Sequence, residues 1–213
     1  MAVSPVYLPI FPLPDVTFFP HTLLPLHIFE ARYRAMITDC LARDRRLSVV
    51  RLEPGYEAAY DGKPPVCPVA GAGRIVRCER LATGRFNVLL RGEQRIRIAS
   101  EVPTDTLYRV AAAVPLTDVG AERPAVAELA RTIRARCVQI LEALGRGTDA
   151  LRESLEALRS PAELGDQVAS GIIPDAAVRQ TLLEEPDVER RLERLTTALD
   201  DLFRQLTRGR EPR

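Results

Sequence analysis

The sequence predicts an α+β protein in which a small antiparallel β-barrel is followed by an α-helical bundle. Up to about residue 116, short apolar runs rich in Val, Ile, Leu and Phe alternate with Pro and Gly, as strands and turns require. From residue 117 onward, leucines recur at helical spacing with few helix breakers. We therefore expect two subdomains: a β-barrel subdomain with one helix over residues 1–116 and a helical bundle over residues 117–213.

The first subdomain is predicted to contain eight short strands, and so many strands with few crossover helices favour a closed barrel. The segments Ala82–Gly84 and Gly92–Gln94 are interpreted as hairpin loops. One helix, from Glu30 to about Arg43, has its apolar side chains on one face and is expected to plug an open end of the barrel. The predicted strands are Tyr7–Phe11, Thr22–Ile28, Leu47–Leu52, Val66–Ala70, Gly73–Leu81, Phe86–Arg91, Arg95–Ala99 and Leu107–Val114.

Two apolar stripes predict the long helices of the second subdomain, one from Val126 to Leu144 and one from Val188 to Leu206. Ser160 opens a capping box with proline at the first helical position, and Asp175 and Pro186 mark two more helix starts. We expect four or five helices packed by their stripes. A coiled-coil dimer is the less favoured alternative, because short loops favour packing within one chain.

Composition and charge exclude several classes of protein. The chain has 30 basic and 29 acidic residues, and a formal net charge of +1 argues against polyanion binding driven by bulk charge. Its four cysteines are widely spaced without a CxxC motif, as in a reducing compartment. Prolines interrupt the amino terminus, and no apolar run approaches the roughly 18 residues of a membrane span. We expect a cytoplasmic protein with no membrane partner.

Catalytic motifs are missing from the sequence. The glycines of Val69–Arg74 are not followed by the lysine of a phosphate-binding loop and fit a strand bulge better, and no GxSxG motif is present. His21 and His27 are interpreted as polar residues near the barrel mouth, since a zinc site takes three or four protein ligands. Cys67 is interpreted as a small buried thiol. We expect no enzyme activity, no metal and no cofactor.

The segment from Val16 to Leu26 concentrates large apolar side chains between prolines, so it cannot be a helix. If the strand that follows alternates, Leu24, Leu26 and Ile28 face inward, while Leu23, Pro25 and His27 face the other side. Phe18, Phe19 and Leu23 are then candidate contacts for an unfolded or extended polypeptide. The alternative is that these side chains close the bottom of the barrel.

A cluster of arginines offers a second candidate site. Residues 74–97 contain seven arginines and two glutamates, and Arg85, Arg95 and Arg97 could contact RNA phosphates. Phe86 is the only aromatic residue in this stretch, whereas binding of single-stranded nucleic acid uses interleaved aromatic side chains. A solvated arginine face is the favoured interpretation, and a nucleic-acid partner is the less favoured one.

Blocks of residues in both subdomains form a recognisable pattern. The most specific block comprises Leu8–Leu13, Phe19–Pro20 and Pro25–Arg34 with Met36. Central segments follow at Gly73–Ile75, Gly84–Val88 and Gly92–Ile98, and helical ones at Leu164–Asp166, Gln180–Glu184 and Arg190–Leu192. Over nearly the whole chain, these blocks resemble the amino-terminal substrate-binding domain of Lon proteases.

The resemblance implies a PUA-like pseudobarrel followed by a helical bundle, and protein binding rather than catalysis. The sequence stops where a full Lon protease would continue into its ATPase and Ser-Lys protease domains, so it looks like a stand-alone Lon-domain protein. The leading hypothesis is a non-enzymatic module that binds unfolded or extended protein segments, as an adaptor in protein quality control. A separate protease is a candidate partner. RNA binding through the basic strand face is the alternative function.

Overall fold

The first part of the chain is built on a sheet whose strands close on themselves. The structure is a computed structural model that describes residues 4–59 and 62–208, and its contacts divide the chain into two units, Met1–Thr117 and Asp118–Arg213. The described residues of the first unit form six strands: β1 (Val6–Leu13), β2 (Leu23–Ile28), β3 (Arg46–Arg51), β4 (Val69–Arg80), β5 (Phe86–Val102) and β6 (Arg109–Leu116). Their order is β2-β5-β4-β3-β1-β6, and β6 also pairs with β5, which closes a ring of five strands. Strand β2 is added outside the ring, along the first half of β5.

The predicted α+β class is confirmed, but the sheet is mixed rather than wholly antiparallel. Strand β1 pairs in parallel with β3, with Ile10 opposite Ser48, whereas the other pairs are antiparallel. The connection from β1 to β3 passes through β2 and helix α1 (Ala31–Ala42). Parallel neighbours need such a long crossover, which allows this pair.

Two predicted strand breaks do not exist, so the described residues of the first unit form six strands where the sequence predicts eight. Strand β4 runs on through Gly71 and Gly73, and β5 runs on through Gly92, which had been taken for a hairpin loop. The glycines accompany a register shift between Ala72 and Gly73, so the predicted strand bulge is present. The other predicted loop, Ala82–Gly84, is a hairpin turn closed by hydrogen bonds between neighbouring residues, with Gly84 at φ 75°.

The interior of the first unit contains two apolar clusters. One joins the buried face of α1 to the strands, and it contains Met36, Ile37, Leu47, Ile75 and Leu90, each at most 1% exposed. The predicted apolar face of the helix is thus buried against the strands. The second cluster is built around Ile10, Val50 and Ile96, which are fully buried, and small alanines of β4 and β6.

The second unit contains five helices among its described residues: α2 (Pro124–Ala143), α3 (Asp149–Glu156), α4 (Pro161–Ile172), α5 (Ala176–Glu184) and α6 (Val188–Arg208). Two predicted starts are confirmed, since Ser160 Oγ accepts a hydrogen bond from Glu163 N at 3.1 Å and Asp175 Oδ1 caps the first turn of α5. The long helix α6 contacts α2, α4 and α5. No described helix is long and apolar enough to cross a membrane.

A buried arginine joins α6 to α4. Arg191 is 1% exposed, donates to both carboxylate oxygens of Asp118 at 3.0 and 2.6 Å, and has its Nε 3.8 Å from Oδ1 of the fully buried Asp166. A Cβ on Gly165 would lie 2.9 Å from Leu192 Cδ2, so a glycine here lets the two helices pack closely. The blocks Leu164–Asp166 and Arg190–Leu192 therefore act in the packing of the helices.

Candidate polypeptide-binding surface

The expected exposure of two candidate contacts is wrong. Phe18 and Phe19 are 1% and 0% exposed, and Phe18 belongs to the same apolar cluster as helix α1. The segment that contains them lies against the sheet, so neither ring can touch a partner in this conformation. Their burial agrees with the alternative interpretation only in that both side chains belong to the interior.

Glycines of the sheet explain how this segment is buried. A Cβ at Gly71 would lie 1.8 Å from Phe18 O, and one at Gly92 would lie 1.9 Å from Phe19 O. The backbone of the segment therefore occupies the space that side chains would fill at these positions. Hydrogen bonds fix it there, from His21 N to Gly92 O at 3.0 Å and from Gly92 N to Thr22 O at 2.9 Å.

The third candidate, Leu23, lies on the surface and is 55% exposed. As predicted, Leu24 and Leu26 are partly buried and Ile28 is buried, whereas Leu23, Pro25 and His27 are exposed. On β5 the residues opposite these three are Arg91, Leu89 and Asn87. We call these six residues the β2 face.

Phe29 extends the β2 face beyond the end of the strand. It is 59% exposed, and its ring stacks on that of His27 with 6.3 Å between centroids. The sequence interpretation did not select it as a contact. The signal was present in the alternation of β2, because position 29 continues the series 23, 25, 27 of outward residues.

The open edge of β2 is not suited to the addition of another strand. Among the described strands, β2 pairs with β5 alone. Gly92 N donates to Thr22 O, and in an antiparallel ladder the pairs that are hydrogen-bonded alternate with pairs that are not. The backbone groups of Leu23, Pro25 and His27 therefore point away from β5, toward the open edge. Pro25, in the middle, has no N–H to donate. Proline on an edge strand hinders strand addition, so contacts of this surface are made by side chains of its face.

A row of polar side chains crosses the three strands beside Pro25. His27 Nδ1 and Asn87 Oδ1 are 2.8 Å apart, and Asn87 Nδ2 donates to Glu79 Oε2 at 3.2 Å. This row joins β2, β5 and β4 and holds the outward side chains in place. The Glu79 carboxylate therefore already accepts a hydrogen bond from Asn87 on the same surface.

The three arginines proposed for RNA do not form one surface. Arg95 is 2% exposed, so its expected place on a solvated face is wrong. Arg85 and Arg97 are exposed, but Arg85 lies just before β5 and Arg97 lies twelve positions further along the chain, in the second half of that strand. Arg85, Arg95 and Arg97 therefore do not form the compact cationic patch that the RNA hypothesis assigns to them.

The cysteines are not poised for nucleophilic chemistry. Burial, with the nearby carboxylates Asp44 and Asp39 adding to it, raises the pKa of the Cys40 thiol to about 12, and burial raises the pKa of Cys137 to about 12 as well. Cys67 is 7% exposed, as the sequence predicted. Across residues 4–59 and 62–208, no three His, Cys, Asp or Glu side chains are grouped to hold a metal ion.

An apolar hollow lies within the helical unit. It has a volume of about 640 Å³ and is lined by apolar side chains that include Ile173, Val178 and Leu202, with Arg194 and Asp201 among its polar ones. It lies between the start of α5 and the second half of α6. The sequence interpretation did not select this hollow, because its residues come from around the start of α5 and from α6, which are brought together only by packing.

The fold and the sequence place the chain in a family. A model described as the ATP-dependent protease La (LON) substrate-binding domain matches residues 7–201. The chain belongs to this family, as the residue blocks had predicted. The family model describes a substrate-binding domain rather than a catalytic one.

Individual relatives agree with this assignment. Lon protease 1 of Thermus thermophilus is 30% identical over 206 residues, and Lon protease of Desulfosudis oleivorans is 25% identical over 208 residues. These matches cover 92% and 96% of this chain but 25% of each relative, so the chain spans about a quarter of the length of these curated relatives.

Solved structures show the same fold. The N-terminal domain of Mycobacterium avium complex Lon protease superimposes with a TM-score of 0.74 at 19% identity, covering 92% of this chain and 99% of that one. A Lon N-terminal domain protein from Xanthomonas campestris gives a TM-score of 0.66 at 23% identity, covering 90% and 98%.

Proposed function

We propose that this protein binds exposed apolar segments of other polypeptides through the β2 face and Phe29, without catalysing a reaction on them. The observation that carries the proposal is the exposure of Leu23, at 55%, on β2 and of Phe29, at 59%, just beyond its end, in a substrate-binding domain. Apolar side chains grouped on a surface are typical of sites for protein partners. Of the contacts predicted from the sequence, Leu23 remains in this proposal, and Phe18 and Phe19 act by supporting the strand that carries it.

The proposed partners are unfolded or extended protein segments, and the proposed cellular role is that of an adaptor in protein quality control. An adaptor binds a client without changing it, which suits a surface that offers side-chain contacts to a partner. A separate protease that receives the client is part of this proposal.

The test is crosslinking of the protein to a chemically denatured model protein, with two variants of the β2 face. Leu23→Ser and Phe29→Ser each remove an exposed apolar side chain, so folding is expected to be retained while crosslinking falls several-fold. The matched controls are Leu107→Ser and Tyr7→Ser, because these side chains are 69% and 65% exposed at other places in the same unit.

Equal crosslinking by the β2-face variants and the wild type would contradict the proposal. So would an equal loss in the control variants, since the effect would then follow general surface hydrophobicity. A labelled single-stranded RNA in parallel measures the alternative function: binding that weakens steeply with salt would favour it.

A further inference from the structure

Three arginines stand directly opposite one another across neighbouring strands beside the β2 face. Arg46 of β3 pairs with Arg74 of β4, and Arg74 pairs with Arg91 of β5. Like charges directly opposite in a sheet are destabilising. Glu93 relieves part of this repulsion, with its carboxylate oxygens 3.2 Å from Arg46 Nε and 3.3 Å from Arg74 Nε.

Arg91 does not share in this compensation. Its side chain forms no ion pair or hydrogen bond with any residue in the described part of the chain, and it is exposed opposite Leu23. Arg77 has the same properties in the next row, where it is exposed opposite Leu89. Two guanidinium groups without a protein partner among the described residues therefore border the apolar residues of the β2 face.

Negative charge is scarce at this end of the surface. Glu93 is shared between two arginines, and Glu79 accepts a hydrogen bond from Asn87 at the other end of the β2 face. A carboxylate of a partner placed beside Leu23 could accept hydrogen bonds from the guanidinium groups of Arg91 and Arg77. A partner that placed a lysine there would meet like charge.

Resting on the proposed function, we infer that the polypeptide segment bound at the β2 face is one that carries Asp or Glu next to its apolar side chains. The apolar side chains pack on Leu23, Pro25 and Leu89, and the carboxylates pair with Arg91 and Arg77. Charge complementarity of this kind selects among partners and speeds their association. Segments that are apolar and basic are discriminated against.

The test is a titration of the isotope-labelled full chain, followed by NMR, with three peptides that share one apolar core. The core is flanked by Glu in the first peptide, by Ser in the second and by Lys in the third. At low salt we expect the Glu peptide to bind about three- to tenfold more tightly than the Lys peptide, because each exposed ion pair contributes little and two are formed. This preference should shrink at high salt.

Variants assign the preference to particular side chains. The double variant Arg91→Gln with Arg77→Gln should remove the preference and leave binding of the Ser peptide unchanged. Arg97→Gln is the matched control, since Arg97 is another exposed arginine of β5 without a partner among the described side chains. It should keep the preference.

The outcomes separate this inference from the proposed function. If the Ser peptide binds at β2 and all three peptides bind equally, the inference is overturned and the proposed function stands. If no peptide shifts the amide signals of β2 or β5, both are overturned. If the double variant loses binding of single-stranded RNA while peptide binding shows no charge preference, the arginines serve nucleic acid and the inference is overturned.

Discussion

Substitution of Phe19 by alanine tests whether the apolar segment before β2 is part of the interior. Phe19 is 0% exposed, and removing a buried Phe ring costs about 3–5 kcal/mol of the free energy of unfolding. An independent value follows from area, since a ring that buries about 150–250 Å² contributes about 4–6 kcal/mol at 25 cal/mol per Å². In a chain of this length, a loss of about 4 kcal/mol lowers Tm by roughly 8–16 °C.

The matched comparison is Leu23→Ala, four positions further along the chain. Leu23 is 55% exposed, so its truncation should change the free energy of unfolding by about 0.5 kcal/mol or less. Hydrogen exchange at amides of β4 and β5 measures the stability of the first unit directly, and thermal denaturation followed by circular dichroism gives Tm. A cost below about 1 kcal/mol for Phe19→Ala, or equal costs for the two variants, would refute the assignment.

Three further substitutions test other parts of the fold in denaturant titrations. Gly92→Ala would place a Cβ 1.9 Å from a backbone oxygen, and we expect a loss of at least about 2 kcal/mol. Arg191→Met removes the guanidinium 3.8 Å from the buried carboxylate of Asp166, with an expected loss of about 3–5 kcal/mol. The hydrogen bond from Arg109 lowers the pKa of Glu101 below its usual 4.5, so this pair stabilises the fold above that pH and loses its effect as the pH falls through the lower, folded pKa. Glu101→Gln should therefore weaken the dependence of stability on pH below 4.5.

Local features of the fold could be predicted from the sequence because they depend on neighbours in the chain. In the caps, the side chains of Ser160 and Asp175 accept hydrogen bonds from backbone N–H groups two or three residues later, and the in-and-out alternation of Leu23 to Ile28 follows from strand geometry. The hairpin at Gly84 depends on one residue with positive φ. Each of these predictions agreed with the structure.

The errors arose where a segment meets residues far away along the chain. Phe18 and Phe19 are buried because Gly71 and Gly92, more than fifty and seventy positions later, leave room for their backbone. The sequence interpretation assigns Gly71 to a strand bulge and Gly92 to a hairpin loop, since a glycine between apolar runs is as typical of a bend or turn as of a close approach. The predicted exposure of Arg95 is an error of the same kind. Strand alternation assigns a residue to a face of the sheet but does not show what covers that face.

The size of the β2 face predicts that a single short segment binds weakly. Full burial of a Leu or Phe side chain contributes about 1.5–3 kcal/mol, and just over half of Leu23 and Phe29 remains to be covered, so together they contribute about 2–3 kcal/mol. Association costs at least about 4 kcal/mol in lost translational and rotational freedom. Even with the contacts of the remaining β2-face residues and the arginines, the favourable contribution exceeds this cost by little. We expect a Kd above about 0.1 mM for one peptide, measured by NMR titration.

Tighter retention of an unfolded client then depends on several apolar segments of that client being bound in turn or by several copies of the protein. Weak single contacts also suit release of the client to another protein. A Kd below about 1 µM for one short peptide corresponds to more than about 8 kcal/mol, which the β2 face and Phe29 cannot supply, and it would place the principal binding surface elsewhere on the molecule.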